Sequence, residues 1–186
     1  MADIGRRGFV KGATLGALAF TVSGTVVLMA PGEARARNVP FRLLDAHQGD
    51  TIEAIGETLV PQAREAGIAH FIDQQLSVPA NESLLQARIL NIRPPFTEFY
   101  RTALKTIDDR SRKIFGRDFA QMTAADQREF VDRMRQNKVE DWAGPPGALV
   151  YAAFRADAVD VVYGTMEGYE ALGIPYMPHI PPEKRW

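Results

Sequence analysis

Apolar residues recur at helical spacing along most of this 186-residue chain, and prolines end several of the runs. The clearest run covers residues 96–115, where apolar side chains return every three or four positions on one side. Gly116 follows it, and glycine is common just after a helix C-terminus. Strand patterns are nearly absent: only residues 159–163 suggest a strand, and their neighbours favour helix. The pattern predicts an all-α fold.

Shorter runs predict the other helices. Asp50 stands where an N-cap residue would, three positions before Glu53, after an irregular lead-in over residues 37–48. The helices predicted besides 96–115 lie within residues 50–60, 68–76, 84–92, 123–136 and 148–163. We therefore predict one small domain of five or six helices over residues 37–163.

The first 36 residues have the three parts of an export signal of the twin-arginine type. An arginine pair precedes a mildly apolar, uncharged stretch, and an Ala-x-Ala site ends it. The residues that define the signal are Arg6, Arg7, Phe9 and Lys11, with Ala34 and Ala36 at the cleavage site. The apolar stretch is short for a permanent membrane anchor. The alternative is a cytoplasmic protein with a flexible apolar N-terminus.

Composition limits the chemistry of the chain. Without residues 1–36, 18 basic and 21 acidic residues remain, a net charge of about −3, which gives no support for nucleic-acid binding. The absence of cysteine rules out disulfides, thiolate metal sites and covalent haem attachment within the chain. We therefore expect no metal site in this chain, and the signal predicts an exported protein of the periplasm.

Catalytic motifs are mostly missing. The chain has no G-x-G-x-x-G, no P-loop and no G-x-S-x-G. His70 is expected to be a half-exposed helix residue, and the pair Asp108-Asp109 a solvated charged surface. His179 and Met177 could together hold a haem iron, but packing is the commoner role of methionine. No catalytic residue is predicted.

Residues 164–186 predict an extended tail. Four prolines among its last 14 residues favour an extended path, and its aromatic and apolar residues are unusual for a free tail. The tail either wraps its own domain or lies across a partner, and we favour the partner. The candidate interface residues are Tyr163, Tyr169, Ile174, Tyr176, Met177, Ile180 and Trp186.

Several segments within residues 45–176 resemble the gluconate 2-dehydrogenase subunit 3 family. They are TIEAIGETLVP at 51–61, GIAHFID at 67–73, IFGRDF at 114–119, Tyr163-Gly164 and GYEALGIP at 168–175. One departure is visible: Thr165 and Met166 stand where many members have a glycine and an asparagine.

The resemblance implies a function through a partner. The family's large subunit is an FAD-binding dehydrogenase of the glucose-methanol-choline (GMC) type, often without its own export signal, and a c-type cytochrome often completes the complex. The small subunit would carry the folded flavoprotein through the membrane and stabilise it, with only indirect membrane contact. It would bind no cofactor of its own. The alternative hypothesis is a stand-alone periplasmic α-helical binding protein or enzyme.

Overall fold

A computed structural model describes residues 17–22 and 24–174 of the chain. Eight α-helices and one two-stranded sheet lie within these residues, so the all-α prediction is confirmed, with a small sheet that the sequence analysis did not predict. Among the described residues, no helix combines the length and the apolar character that crossing a membrane requires. The signal residues Arg6, Arg7, Phe9 and Lys11 lie outside the described part of the chain.

The sheet is an antiparallel hairpin near the N-terminus. Strand β1 (Leu18–Val22) pairs with β2 (Thr25–Met29), and Gly24 in the turn has a φ of 80°, a backbone conformation that glycine adopts without strain. Helix α1 (Pro31–Ala36) follows directly, with proline at its first position. Both the hairpin and α1 contact α3 (Ile68–Leu76).

Helix α2 begins earlier than predicted. It covers Ala46–Leu59, and its N-cap is Asp45, whose carboxylate accepts a hydrogen bond from the Gln48 amide at 2.8 Å. The Gln48 side chain accepts in return from the Asp45 amide at 3.1 Å, which completes a capping box. The prediction of Asp50 as the cap was wrong, because this reciprocal pair five residues earlier already supplies the hydrogen bonds.

The remaining helices follow the predicted order. They are α4 (Gln86–Ile89), α5 (Phe96–Phe115), α6 (Ala124–Arg135), α7 (Gly147–Tyr163) and α8 (Met166–Ala171), with a 3₁₀ turn at Phe119–Gln121. Gly116 ends α5 with a φ of 74°. Thr123 caps α6 through its hydroxyl, as predicted.

Two predicted segments differ in detail. The helix predicted within residues 84–92 is observed as α4 and is only four residues long. Leu84 and Ile89 face solvent, so they do not form a buried stripe with Leu85. Residues 166–171, predicted as the start of an extended tail, form α8, because the Thr165 hydroxyl accepts from the Gly168 amide at 3.0 Å and caps a short helix. Residues 175–186 lie outside the described part of the chain.

Helix α7 is the centre of the core. It contacts α2, α3, α4, α6 and α8, and so most of its sides are covered. Val150, Ala153, Phe154 and Ala158 on this helix are fully buried. Its side chains are apolar on nearly all sides, as is typical of a helix that neighbours surround. Helices α4 and α8 both pack against the last two turns of α7. The predicted interface residues that the structure describes lie at this end of the molecule.

Candidate partner-binding surface

A buried carboxylate joins three helices beneath this end of the molecule. Asp157 on α7 is fully buried, and it accepts a hydrogen bond from the Tyr100 hydroxyl on α5 at 2.5 Å. Its other oxygen accepts from the backbone amide of Gln86 at the start of α4, at 2.9 Å. Burial raises the pKa of Asp157 to about 7, although both hydrogen bonds favour the ionised form.

The Gln86 side chain makes a second link between α4 and α7. Its amide nitrogen donates to Asp160 at 2.5 Å, and partial burial raises the pKa of that carboxyl. Helix α4 is therefore held to α7 by one backbone and one side-chain donor. This anchoring leaves Ile89, at the other end of α4, 69% exposed, and Leu84 just before α4 55% exposed.

Helix α8 folds back against the end of α7. Gly168 makes this possible, because a Cβ atom there would lie 2.4 Å from the Val162 carbonyl oxygen and 2.6 Å from the Tyr163 Cα. Thr165 supplies the cap of α8 through its hydroxyl. The turn is thus built from a Thr cap and a close glycine contact.

The predicted interface residues divide into three groups. Ile174 is 50% exposed, and its neighbour Leu172, which the sequence analysis did not select, is 53% exposed. Tyr163 and Tyr169 are half-buried, and Tyr163 packs against the core. Four of them lie outside the described residues: Tyr176, Met177, Ile180 and Trp186.

Two pairs of exposed apolar side chains therefore lie in, or within three residues of, the two short helices that pack against the last two turns of α7. One pair is Leu84 and Ile89, and the other is Leu172 and Ile174. Sequence reasoning missed the first pair because its helical spacing is that of a core stripe. Exposed large apolar side chains at one end of a domain are typical of a protein–protein interface.

A cleft of about 490 Å³ lies beside this surface. Its walls come from the start of α1, the loop after α2, the end of α7 and α8, and they include Pro31, Gln62, Glu65, Tyr163, Thr165 and Ala171. The lining carries one carboxylate, one amide and two hydroxyls, those of Tyr163 and Thr165, among mainly apolar side chains. It lacks the converging polar groups that a small-molecule site usually has.

One cluster of possible metal ligands lies elsewhere, at the junction of α2, α5 and the 3₁₀ turn. Suitable atoms of His47, Asp108 and Asp118 lie within 4.8 Å of one another. Asp108, however, already accepts from His47 at 3.0 Å, from Thr51 at 3.2 Å and from the Phe119 amide at 3.2 Å. Asp118 is paired with Arg112. Hydrogen bonds and an ion pair therefore account for this arrangement.

Two predictions about the polar residues were wrong. Asp108 is buried, not solvated, because α2 and the 3₁₀ turn cover it; burial raises its pKa, and the Phe119 amide and His47 oppose that rise. His70 is 6% exposed, not half-exposed, because its ring packs 4.7 Å from that of Phe41 and its Nε2 lies 2.9 Å from the Val39 carbonyl oxygen. Asp109, by contrast, lies in the surface ion pairs expected of it, with Lys105 and Arg112.

The predicted cleavage site lies within α1. Ala34 is fully buried, whereas Ala36 at the end of the helix is exposed. Arg35 between them forms a bidentate ion pair with Glu53 of α2, at 2.7 and 3.2 Å. That hydrogen-bonded partner raises the pKa of Arg35.

The family model of gluconate 2-dehydrogenase subunit 3 matches residues 46–181 of the chain. Comparison with curated proteins gave no match, and neither did comparison with solved structures. The matched region begins at the first residue of α2 and runs through α8, so it includes helices α2 to α8 and the surface around α4 and α8. The chain therefore belongs to the gluconate 2-dehydrogenase subunit 3 family.

Proposed function

We propose that this chain is the non-catalytic small subunit of a periplasmic, FAD-dependent dehydrogenase complex that oxidises a sugar or polyol. The observation that carries the proposal is the family match over residues 46–181. The large subunit of the complex would be a flavoprotein of the GMC type, and a c-type cytochrome would accept its electrons. The chain itself would bind neither FAD nor haem.

The exposed apolar pairs at the ends of α4 and just after α8 support a role in binding the large subunit. An obligate interface typically buries more than about 2,000 Å² in total and has an apolar centre. Ile89 and Leu172 would be removed from water in such an interface, and each apolar side chain that is fully buried contributes roughly 1.5–3 kcal/mol. The tail residues Tyr176, Met177, Ile180 and Trp186 would extend the same contact.

Co-purification tests the binding role. The tagged chain is co-expressed with its flavoprotein partner in the cytoplasm, and the eluate is examined for bound flavin and for dye-linked sugar oxidation. Ile89→Gln and Leu172→Gln should each lower the yield of flavoprotein several-fold. Val26→Thr, at an exposed apolar residue of β2, is the matched control and should leave it unchanged. A full yield with both variants would contradict this surface as the interface.

We also propose that the chain carries the folded partner through twin-arginine export. The arginine pair and the apolar stretch after it support this route. Arg6→Lys combined with Arg7→Lys should leave both subunits in the cytoplasm, because the route depends on the arginine pair. Arg133→Lys on the exposed face of α6 serves as the control. Periplasmic flavoprotein at the parental level in the double variant would overturn the export role.

A second candidate function is that of a stand-alone periplasmic binding protein, for which the cleft beside Tyr163 is the candidate site, although its lining lacks converging polar groups. A single colourless species that purifies without a partner and whose melting temperature rises with an added small molecule would support this alternative. A co-eluting yellow flavoprotein would refute it.

A further inference from the structure

We propose that folding closes the Ala34-Arg35-Ala36 site to signal peptidase, so that the folded chain keeps residues 18–36 as an integral part of its structure. We call these residues the N-terminal segment. The proposal rests on the proposed export function only in that twin-arginine export delivers an already folded chain to the peptidase. Its experiment uses purified protein, and so it does not depend on whether export or partner binding occurs.

The N-terminal segment has a small apolar core of its own against the domain. Phe20 of β1, Met29 of β2 and Ala34 of α1 are each at most 6% exposed, and they cluster with Val39. The Phe20 ring lies 6.4 Å from the ring of His70 on α3. These side chains come from both strands and from the helix; β1 and α1 contact α3 directly, and β2 is paired with β1.

Close backbone contact holds the start of α1. A Cβ atom at Gly67 would lie 2.2 Å from the Pro31 carbonyl oxygen, and one at Gly32 would lie 2.7 Å from the Glu65 carbonyl oxygen. Gly67 also has a φ of 80°, a conformation that glycine adopts readily. The two glycines therefore let the main chains of α1 and of the loop before α3 meet without a side chain between them.

Charge pairing holds the end of α1. Glu53 on α2 is largely buried, and its carboxylate accepts hydrogen bonds from the Nε and from a terminal nitrogen of Arg35. Arg64 lies 3.8 Å from the same carboxylate. A bidentate, partly buried arginine–carboxylate pair is one of the stronger side-chain contacts. Arg35 is the middle residue of the cleavage site, so this pair fixes the site itself.

A signal peptidase needs small side chains at the first and third residues of an Ala-x-Ala site. Cleavage of a folded chain requires that the segment open first, and its rate then follows the population of the open form. In this structure Ala34 is fully buried within a helix, and its neighbour Arg35 is paired with Glu53. Opening would break the ion pair and expose the Phe20, Met29 and Ala34 cluster together.

The test is digestion of the purified full chain by signal peptidase in detergent micelles, with intact mass as the readout. A peptide spanning residues 25–45 reports whether the site is cleavable when unfolded. We expect cleavage of the peptide after Ala36 and at least tenfold slower cleavage of the folded chain.

Two variants test whether the rate of cleavage depends on the contact between the N-terminal segment and the domain. Glu53→Gln lies outside the cleavage site but weakens its contact with Arg35, so cleavage after Ala36 should speed up several-fold. Glu129→Gln removes a surface ion pair with Arg133 on α6 and should cleave at the parental rate. Circular dichroism on both variants shows whether the domain remains folded.

Equal cleavage of the folded chain and the peptide would overturn the proposal, because the site would then be open in the fold. A peptide that is not cut would also overturn it, because the sequence and not the fold would then protect the site. A Glu53→Gln variant that is folded yet as slow as the parent would show that Arg35 pairing does not hold the site closed. Failure of the flavoprotein to co-purify would change none of these results.

Discussion

The Tyr100 hydroxyl donates a 2.5 Å hydrogen bond to Asp157, and this contact joins the longest helix of the described chain, α5, to the central helix α7. Burial raises the pKa of Asp157 and also raises the pKa of Tyr100 well above its usual value. The pair is neutral at mildly acid pH and becomes a buried anion only as Asp157 loses its proton.

The free energy of unfolding should therefore fall as pH rises. The unfolded chain releases the Asp157 proton near pH 4, whereas the folded chain holds it until about pH 7. The stabilisation is fully present below pH 4 and is lost by pH 7, a change of up to about 4 kcal/mol. Urea unfolding between pH 4.5 and 8 measures it.

Asp157→Asn should flatten this slope. An amide can accept from the Gln86 backbone and donate to the Tyr100 oxygen, so it replaces the protonated carboxyl. A shallower slope should remain, because burial also raises the pKa of Asp108 and Asp160. Asp132→Asn on the surface of α6 is the control. A slope as steep in Asp157→Asn as in the parent would show that Asp157 does not titrate in this range.

Asp73 should be needed for the lead-in before α2. It is 4% exposed, and its carboxylate accepts from the backbone amides of Arg42, Leu43 and Leu44 at 2.8–2.9 Å. Asp73→Ala leaves three donors unpaired and should lower the free energy of unfolding by about 3 kcal/mol or more. Denaturant titration measures the loss, with Asp109→Ala on the surface of α5 as the control. Equal effects of the two changes would refute the role of Asp73.

The two aspartates near the start of α2 should differ sharply. Asp45→Ala removes the N-cap and one half of the capping box, at a cost of about 1 kcal/mol. Asp50→Ala changes an exposed residue inside the helix and should cost only a few tenths of that. Thermal unfolding of both variants under one condition decides between them. A larger loss of stability in Asp50→Ala than in Asp45→Ala would support Asp50 as the N-cap, as the sequence predicted.

Gly168→Ala should loosen α8 without unfolding the domain. The new Cβ would meet the Val162 carbonyl oxygen at 2.4 Å, so α8 has to move away from α7. The melting temperature should change little, because α8 packs at one end of the core, but affinity for the flavoprotein should fall about tenfold or more. Glu170→Ala, at an exposed residue of the same helix, is the control. Unchanged affinity in Gly168→Ala would separate α8 from the interface.

Local sequence signals predicted most of the helical core. The spacing of apolar residues and the glycine at 116 gave α5 its observed bounds, and Thr123 marked the start of α6. The hairpin was missed because its residues lie in the stretch that the sequence analysis interpreted as the apolar part of an export signal. The β-branched run at Thr25–Val27 after Gly24 was the signal that could have found it.

The candidate surface was predicted less well, for a physical reason. Whether Ile89 or His70 is buried depends on partners far along the chain: α4 is oriented by Asp157, 71 residues after Gln86, and His70 contacts Val39, 31 residues before it. No periodic pattern carries such information. Of the seven interface residues selected from the sequence, the structure describes Tyr163, Tyr169 and Ile174, and it adds Leu84, Ile89 and Leu172 as exposed apolar neighbours.

The backbone contact at Gly32 and Gly67 also has a consequence for how this sequence can vary. Its fit depends on two missing Cβ atoms and not on the shape of any side chain. In a saturation library, the exposed positions Glu33, Ala36 and Arg37 should accept many residues, whereas the two glycines should accept almost none. The most intolerant positions of the N-terminal contact would then be the two residues that contribute no side chain to it.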